Sequence, residues 1–174
     1  MIPYDVAKIK EMFRKSAVSS SKQEKGKIFE DLACYLFETI PGVLFTIRNS
    51  MNQYGTEEVD ISIWHDQAPG GLNFLNNVLL IECKNWSSPV SSMEVNWFAT
   101  KVKDRGLDFG ILLAANGITE DDSEIKRAQS VLRGYLREGI RIIVLTQKDI
   151  LGLNTTDDMV LLIKKKICEL VVNG

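Results

Sequence analysis

The spacing of apolar and polar residues changes period several times along this chain, and each change marks an element. From Tyr4 to Ala17 the apolar positions Val6, Ile9, Met12 and Phe13 have the spacing of a short amphipathic helix. Ser19, Ser20 and Ser21 interrupt it and can cap a second helix, Gln23 to Ile40. Ile28, Phe29, Leu32, Ala33, Leu36, Phe37 and Ile40 form a wide apolar stripe there, and Pro41-Gly42 stops it. Val43 to Arg48 reads as a strand, followed by a polar turn from Asn49 to Thr56. Glu57 to Trp64 alternates, with Val59, Ile61 and Ile63 on one face and Glu58, Asp60, Ser62 and Trp64 on the other. A loop from His65 to Asn77 leads to Val78–Lys84, so an antiparallel hairpin with an enlarged tip is expected. Ser91 or Ser92 caps a helix reaching about Arg105, with Glu94 placed for a capping box. Then come a buried strand (Leu107 to Ala115), a helix (Glu120 to Glu138) and a strand (Arg141 to Leu145). A helical turn (Asp149 to Leu153) and a closing amphipathic helix (Asp157 to Val172) complete the chain. This order predicts an α/β fold, a mixed central sheet flanked by helices.

With 174 residues, 45% of them hydrophobic and 25% charged, one soluble domain is expected. Its parts read as an N-terminal helical extension (1–20), a core (22–153) and a C-terminal helix (154–174). The apolar runs fall short of a membrane span and the N-terminus lacks a signal-peptide layout, so a cytoplasmic location and no membrane partner are expected. Cys34, Cys83 and Cys168 lie in apolar-periodic segments without metal-ligand spacing and read as reduced core thiols. A net charge of −2 excludes a generic polyanion binder, so a nucleic-acid role needs a local basic patch.

The candidate chemistry sits in Val78-Leu79-Leu80-Ile81-Glu82-Cys83-Lys84-Asn85-Trp86. Four branched apolar residues predict a strand buried on both faces, yet its end carries Glu82 and Lys84. Residues two apart on a strand share a face, so carboxylate and ammonium project side by side while Cys83 points the other way. A salt bridge at a strand end explains that pair alone. The antiparallel neighbour brings Asp60 close, and two converging carboxylates repel unless a cation neutralises them. Hard divalent cations such as Mg²⁺ take such oxygen ligands, and a lysine beside them can orient or deprotonate a water and stabilise a phosphorane-like transition state.

At these residues the chain resembles the PD-(D/E)xK nuclease superfamily, the restriction-endonuclease-like fold, in its Mrr-type branch. Val59-Asp60-Ile61 and Leu80 to Trp86 look like the metal-binding hairpin. Gly26-Lys27-Ile28-Phe29-Glu30 looks like the first-helix signature, and Phe109 to Thr119 like the later strand–helix unit. The resemblance implies that Asp60, Glu82 and the backbone carbonyl of Cys83 bind Mg²⁺, with Mn²⁺ able to substitute. It implies that Lys84 positions the attacking water and that Glu30 assists directly or through a water. By composition alone Glu30 reads as a solvated helix carboxylate. No proline precedes Asp60, a departure this branch often shares.

The implied function is a metal-dependent nuclease hydrolysing DNA phosphodiester bonds, in restriction, phage defence or repair. The alternative is a catalytically inactive nucleic-acid- or protein-binding module on a vestigial nuclease fold. Cutting both strands of a duplex needs two sites, so a homodimer is expected. The chain has no room for the recognition domain usual in this branch, so a separate recognition subunit is a further expected partner. Trp86 and Trp97 can stack on bases or close the core edge, and Lys101, Lys103 and Arg105 can touch phosphates or solvate a helix end. Lys164-Lys165-Lys166 reads as solvent-facing. His65 reads as a loop residue, since hard-cation sites favour oxygen.

Overall fold

The structure, a computed structural model, describes residues 1–52, 55, 57–119 and 122–173, without the side chains of 122–126 and 173. Its elements are α1 (Val6–Val18), α2 (Lys22–Glu38), β1 (Val43–Met51), β2 (Glu58–His65), β3 (Val78–Lys84) and α3 (Ser92–Asp104). They continue with β4 (Phe109–Ala114), α4 (Asp122–Arg137), β5 (Arg141–Leu145), α5 (Gln147–Leu151) and α6 (Thr156–Asn173). The five strands lie in sequence order, β1-β2-β3-β4-β5. The first two pairings are antiparallel, and β3–β4 and β4–β5 are parallel because α3 and α4 cross between them. This is the predicted α/β sheet flanked by helices.

Each sheet face buries its own core. On one side Phe29, Leu32, Leu36 and Phe37 of α2 pack with Ile81 of β3 and with Met159 and Ile163 of α6. On the other, Val95, Phe98, Ala99 and Val102 of α3 pack on Leu80 and Leu112. The close seat of α3 depends on Gly110, where an added Cβ would lie 2.7 Å from Val102 Cγ2 and 3.0 Å from Phe98 Cζ. Leu80 and Glu82, two apart on β3, therefore face α3, while Ile81 and Cys83 face α2.

Several expectations change. β1 continues to Met51, so the turn expected from Asn49 begins as strand; its Gln53, Tyr54 and Thr56 lie outside the described residues. Asn49 has a φ of 50°, and it stands opposite Asp60 between the register pairs Arg48↔Ile61 and Ser50↔Val59. A left-handed residue inside a strand bends it. Val59 accordingly joins the α3-side core, whereas Ile61 and Ile63 join the α2-side core. Glu120 and the side chain of Ile125, both read into α4, lie outside the described residues. Cys168 is exposed on α6 rather than buried, because it falls outside the apolar stripe formed by Met159 and Ile163. His65 ends β2 and is 1% exposed, not a loop residue: its backbone N–H bonds Asn77 O, and Nδ1 accepts from Gln67 N. No helix among the described residues is long and apolar enough to cross a membrane.

The N-terminal segment is fixed at two places. Phe13 packs on Phe29 of α2, and Ser16 Oγ accepts from Asn85 Nδ2 at 2.5 Å. Pro3 forms an isolated bridge with Thr155, supported by Tyr4 N–H to Asn154 O at 2.8 Å and Thr156 N–H to Ile2 O at 2.9 Å.

Candidate active site

The β2–β3 ladder ends at Ile61↔Ile81, so the strands part where the chemistry begins. Asp60 fills the gap: its Oδ2 accepts from Cys83 N–H at 2.7 Å. Lys84 C=O accepts from Ala115 N–H, so its peptide groups face β4. Peptide directions alternate along a strand, which turns the N–H and C=O of Cys83 toward β2 and Asp60. Sequence reasoning placed Asp60, Glu82, Lys84 and the Cys83 carbonyl in one place, and the structure brings them together.

Glu82 is 4% exposed, and its Oε1 lies 3.0 Å from Lys84 Nζ. A second cation, not foreseen as part of the site, is Lys101. It reaches down from α3, is 8% exposed, and its Nζ donates to both Glu82 oxygens at 3.1 Å. Lys101 therefore does not point at solvent phosphates. Of its neighbours, Arg105 pairs with Glu57, and Lys103 pairs with Glu138 on the exposed surface, as a solvated helix end does. Glu94, expected to close a capping box, instead sends its carboxylate to Lys84 at 3.4 Å, and Ser91 alone caps α3.

Asp60 has a different balance. Among the described residues it takes one hydrogen bond and no ion pair. Burial, then repulsion from Glu82, pushes its carboxyl up to about 6, despite the Cys83 N–H and Lys84, which pull it down. Burial alone would depress the Lys84 ammonium, but Glu82 outweighs that and holds its proton more firmly than usual. The Cys83 thiol is pushed well up by burial and by the surrounding carboxylates, so it stays neutral.

Glu30 joins this field, since it raises both Asp60 and Cys83, but its Oε2 is held by Arg48 Nη2 at 3.1 Å. Arg48 also donates to Asp31 at 2.6 Å. This clamp was not legible: Arg48 reads simply as the last residue of a predicted strand.

The donor set, two carboxylates and a backbone carbonyl, suits a hard divalent cation. Asp60, half-buried and without an ion pair among the described residues, is where the site lacks positive charge. No cluster of three or more His, Cys, Asp or Glu side chains with metal-binding placement occurs among the described residues, so the protein would supply few ligands. That is the usual condition of a Mg²⁺ site completed by water and phosphate.

An α/β sheet whose hairpin end gathers two carboxylates and a lysine defines a nuclease-like protein. A family model described as a restriction endonuclease, the Mrr catalytic domain, matches residues 21–148, and the chain belongs to this family. No curated protein matches it.

Proposed function

We propose that this chain is a metal-dependent deoxyribonuclease that hydrolyses DNA phosphodiester bonds, with Asp60, Glu82 and the Cys83 carbonyl holding Mg²⁺ or Mn²⁺. The reading is carried by Asp60, a half-buried carboxylate beside Glu82 with no ion pair among the described residues. When bound, the cation supplies the charge that acidifies an attacking water and stabilises the pentavalent phosphate. Lys84, 3.0 Å from Glu82, orients or deprotonates that water and offsets developing charge. Lys101 keeps the Glu82 carboxylate fixed, and Arg48 does the same for Glu30, whose contribution is to the field around Asp60.

The test is calorimetric titration of Mg²⁺ and Mn²⁺ into wild type and Asp60→Ala, with plasmid nicking measured on the same samples. Binding and nicking are expected to disappear together in the variant, and Lys84→Ala is expected to retain metal while losing nicking. Absence of metal binding by wild type, even with DNA present, overturns the reading. Polynucleotide binding without turnover under any divalent cation would leave a binding module in its place.

A homodimer completes the proposal, because one site per chain serves one strand of a duplex. It is supported by β1, an edge strand with Leu44, Phe45 and Ile47 each more than half exposed and Phe45 stacked on Trp64. Such an apolar edge is a pairing surface.

A further inference from the structure

A cleft of about 630 Å³ opens on the α2 side of the sheet, beyond the carboxyl ends of β3, β4 and β5. Ligands of open α/β sheets sit at these ends. One wall comes from α1, which precedes the family-matched residues. Trp86, 42% exposed, lines the cleft together with Lys22 and Lys25. Neither lysine has an ion pair among the described residues, and an unpaired pair of cations in a chain of net charge −2 marks a local anion site.

The remaining polar groups have the chemistry of a base edge. Asn85 spends its Nδ2 on Ser16 Oγ and Lys25 O, and Asn116 spends its Nδ2 on Trp86 O. Their side-chain oxygens accept nothing among the described residues, and the Gln147 amide makes no hydrogen bond there. Acceptors and an adaptable amide, an exposed indole face and two ammonium groups together suit a planar heterocycle bearing a phosphate. The same indole lies 5.4 Å from Lys84 Nζ, so whatever stacks on Trp86 lies beside the hydrolytic site.

We propose that this cleft binds one unstacked nucleotide of the DNA strand adjacent to the scissile phosphate. Its base lies on Trp86 and its phosphate between Lys22 and Lys25. The substrate class is then DNA with an unpaired or extruded base rather than an uninterrupted duplex, a conclusion resting on the nuclease reading above. α1 supplies part of the recognition surface.

The probe is a fluorescently labelled single-stranded oligodeoxynucleotide, its anisotropy followed in chelator with Asp60→Asn as the parent so that binding is separated from cleavage. Adding Trp86→Ala is expected to weaken binding about tenfold or more. Trp86→Phe is expected to recover most of it, and Lys25→Gln to weaken it and to lower the salt dependence by about one phosphate contact. A fully paired duplex is expected to bind less tightly than the single strand. Unchanged affinity in both Trp86→Ala and Lys25→Gln, with thermal melts intact, overturns the cleft assignment even if the wild type cuts DNA. Losses as described in a protein inert toward every polynucleotide uphold the cleft and remove only the nuclease reading.

Discussion

Asp60 holds a carboxylate where burial and Glu82 both resist its charge. Its native pKa of about 6 lies above the ordinary 3.8, so between these values the folded chain binds more protons than the unfolded one. Stability of the metal-free protein must then fall as pH rises through that window and level off above it, by of order 3 kcal/mol. Urea unfolding in chelator from pH 4 to 7 is expected to show the decline, and Asp60→Asn to flatten it. Glu82 and Lys101 give a second expectation. Glu82→Gln strands Lys101 as a buried charge and destabilises by ~3 kcal/mol or more, whereas Lys101→Met leaves Glu82 paired with Lys84 and costs less. The double variant is expected to lose less than their sum in the same unfolding assay. Glu82, Lys84 and Asp60 were legible because strand alternation and an apolar run fix where they point. Lys101 was not, since a lysine on a helix reads as solvated until the packing of α3 on Gly110 turns it toward the sheet.

At the scale of elements, β3 is the clearest case: its apolar run predicts its ends, and it spans Val78–Lys84 as expected. β1 is the contrary case. Polar Asn49 and Ser50 read as turn, whereas pairing with β2 carries the strand through them, tertiary context overriding propensity. Asn49, with its positive φ, lies opposite Asp60, where the ladder between β2 and β3 has ended. Asn49→Val, forced to a positive φ, is expected to lose roughly 1–2 kcal/mol and to weaken Mg²⁺ binding several-fold, while Asn49→Gly stays near wild type on both counts. Denaturation and metal titration of the two variants, run side by side, measure this. Glu94 shows how a local signal yields to a distant partner: the capping-box spacing is present, but Lys84 takes the carboxylate.

For the whole molecule, strand–helix alternation was enough to give a mixed sheet flanked by helices, because parallel neighbours require crossovers; the strand order itself comes from the structure. What covers the β1 edge was not legible, since its exposed apolar residues name no partner. Light scattering of the wild type is expected to give the mass of a dimer, and Phe45→Glu that of a monomer; a monomeric wild type would remove the dimer from the proposal. The bridge from Pro3 to Thr155 has another consequence, concerning synthesis. Residues 154–156, which clamp the leading end of α1, follow all five strands and are made after them. The α1 wall of the Trp86 cleft gains this second anchor only once residue 156 is made, after Asp60, Glu82 and Lys84. A nascent chain therefore holds Asp60, Glu82 and Lys84 before the clamp on α1 can close.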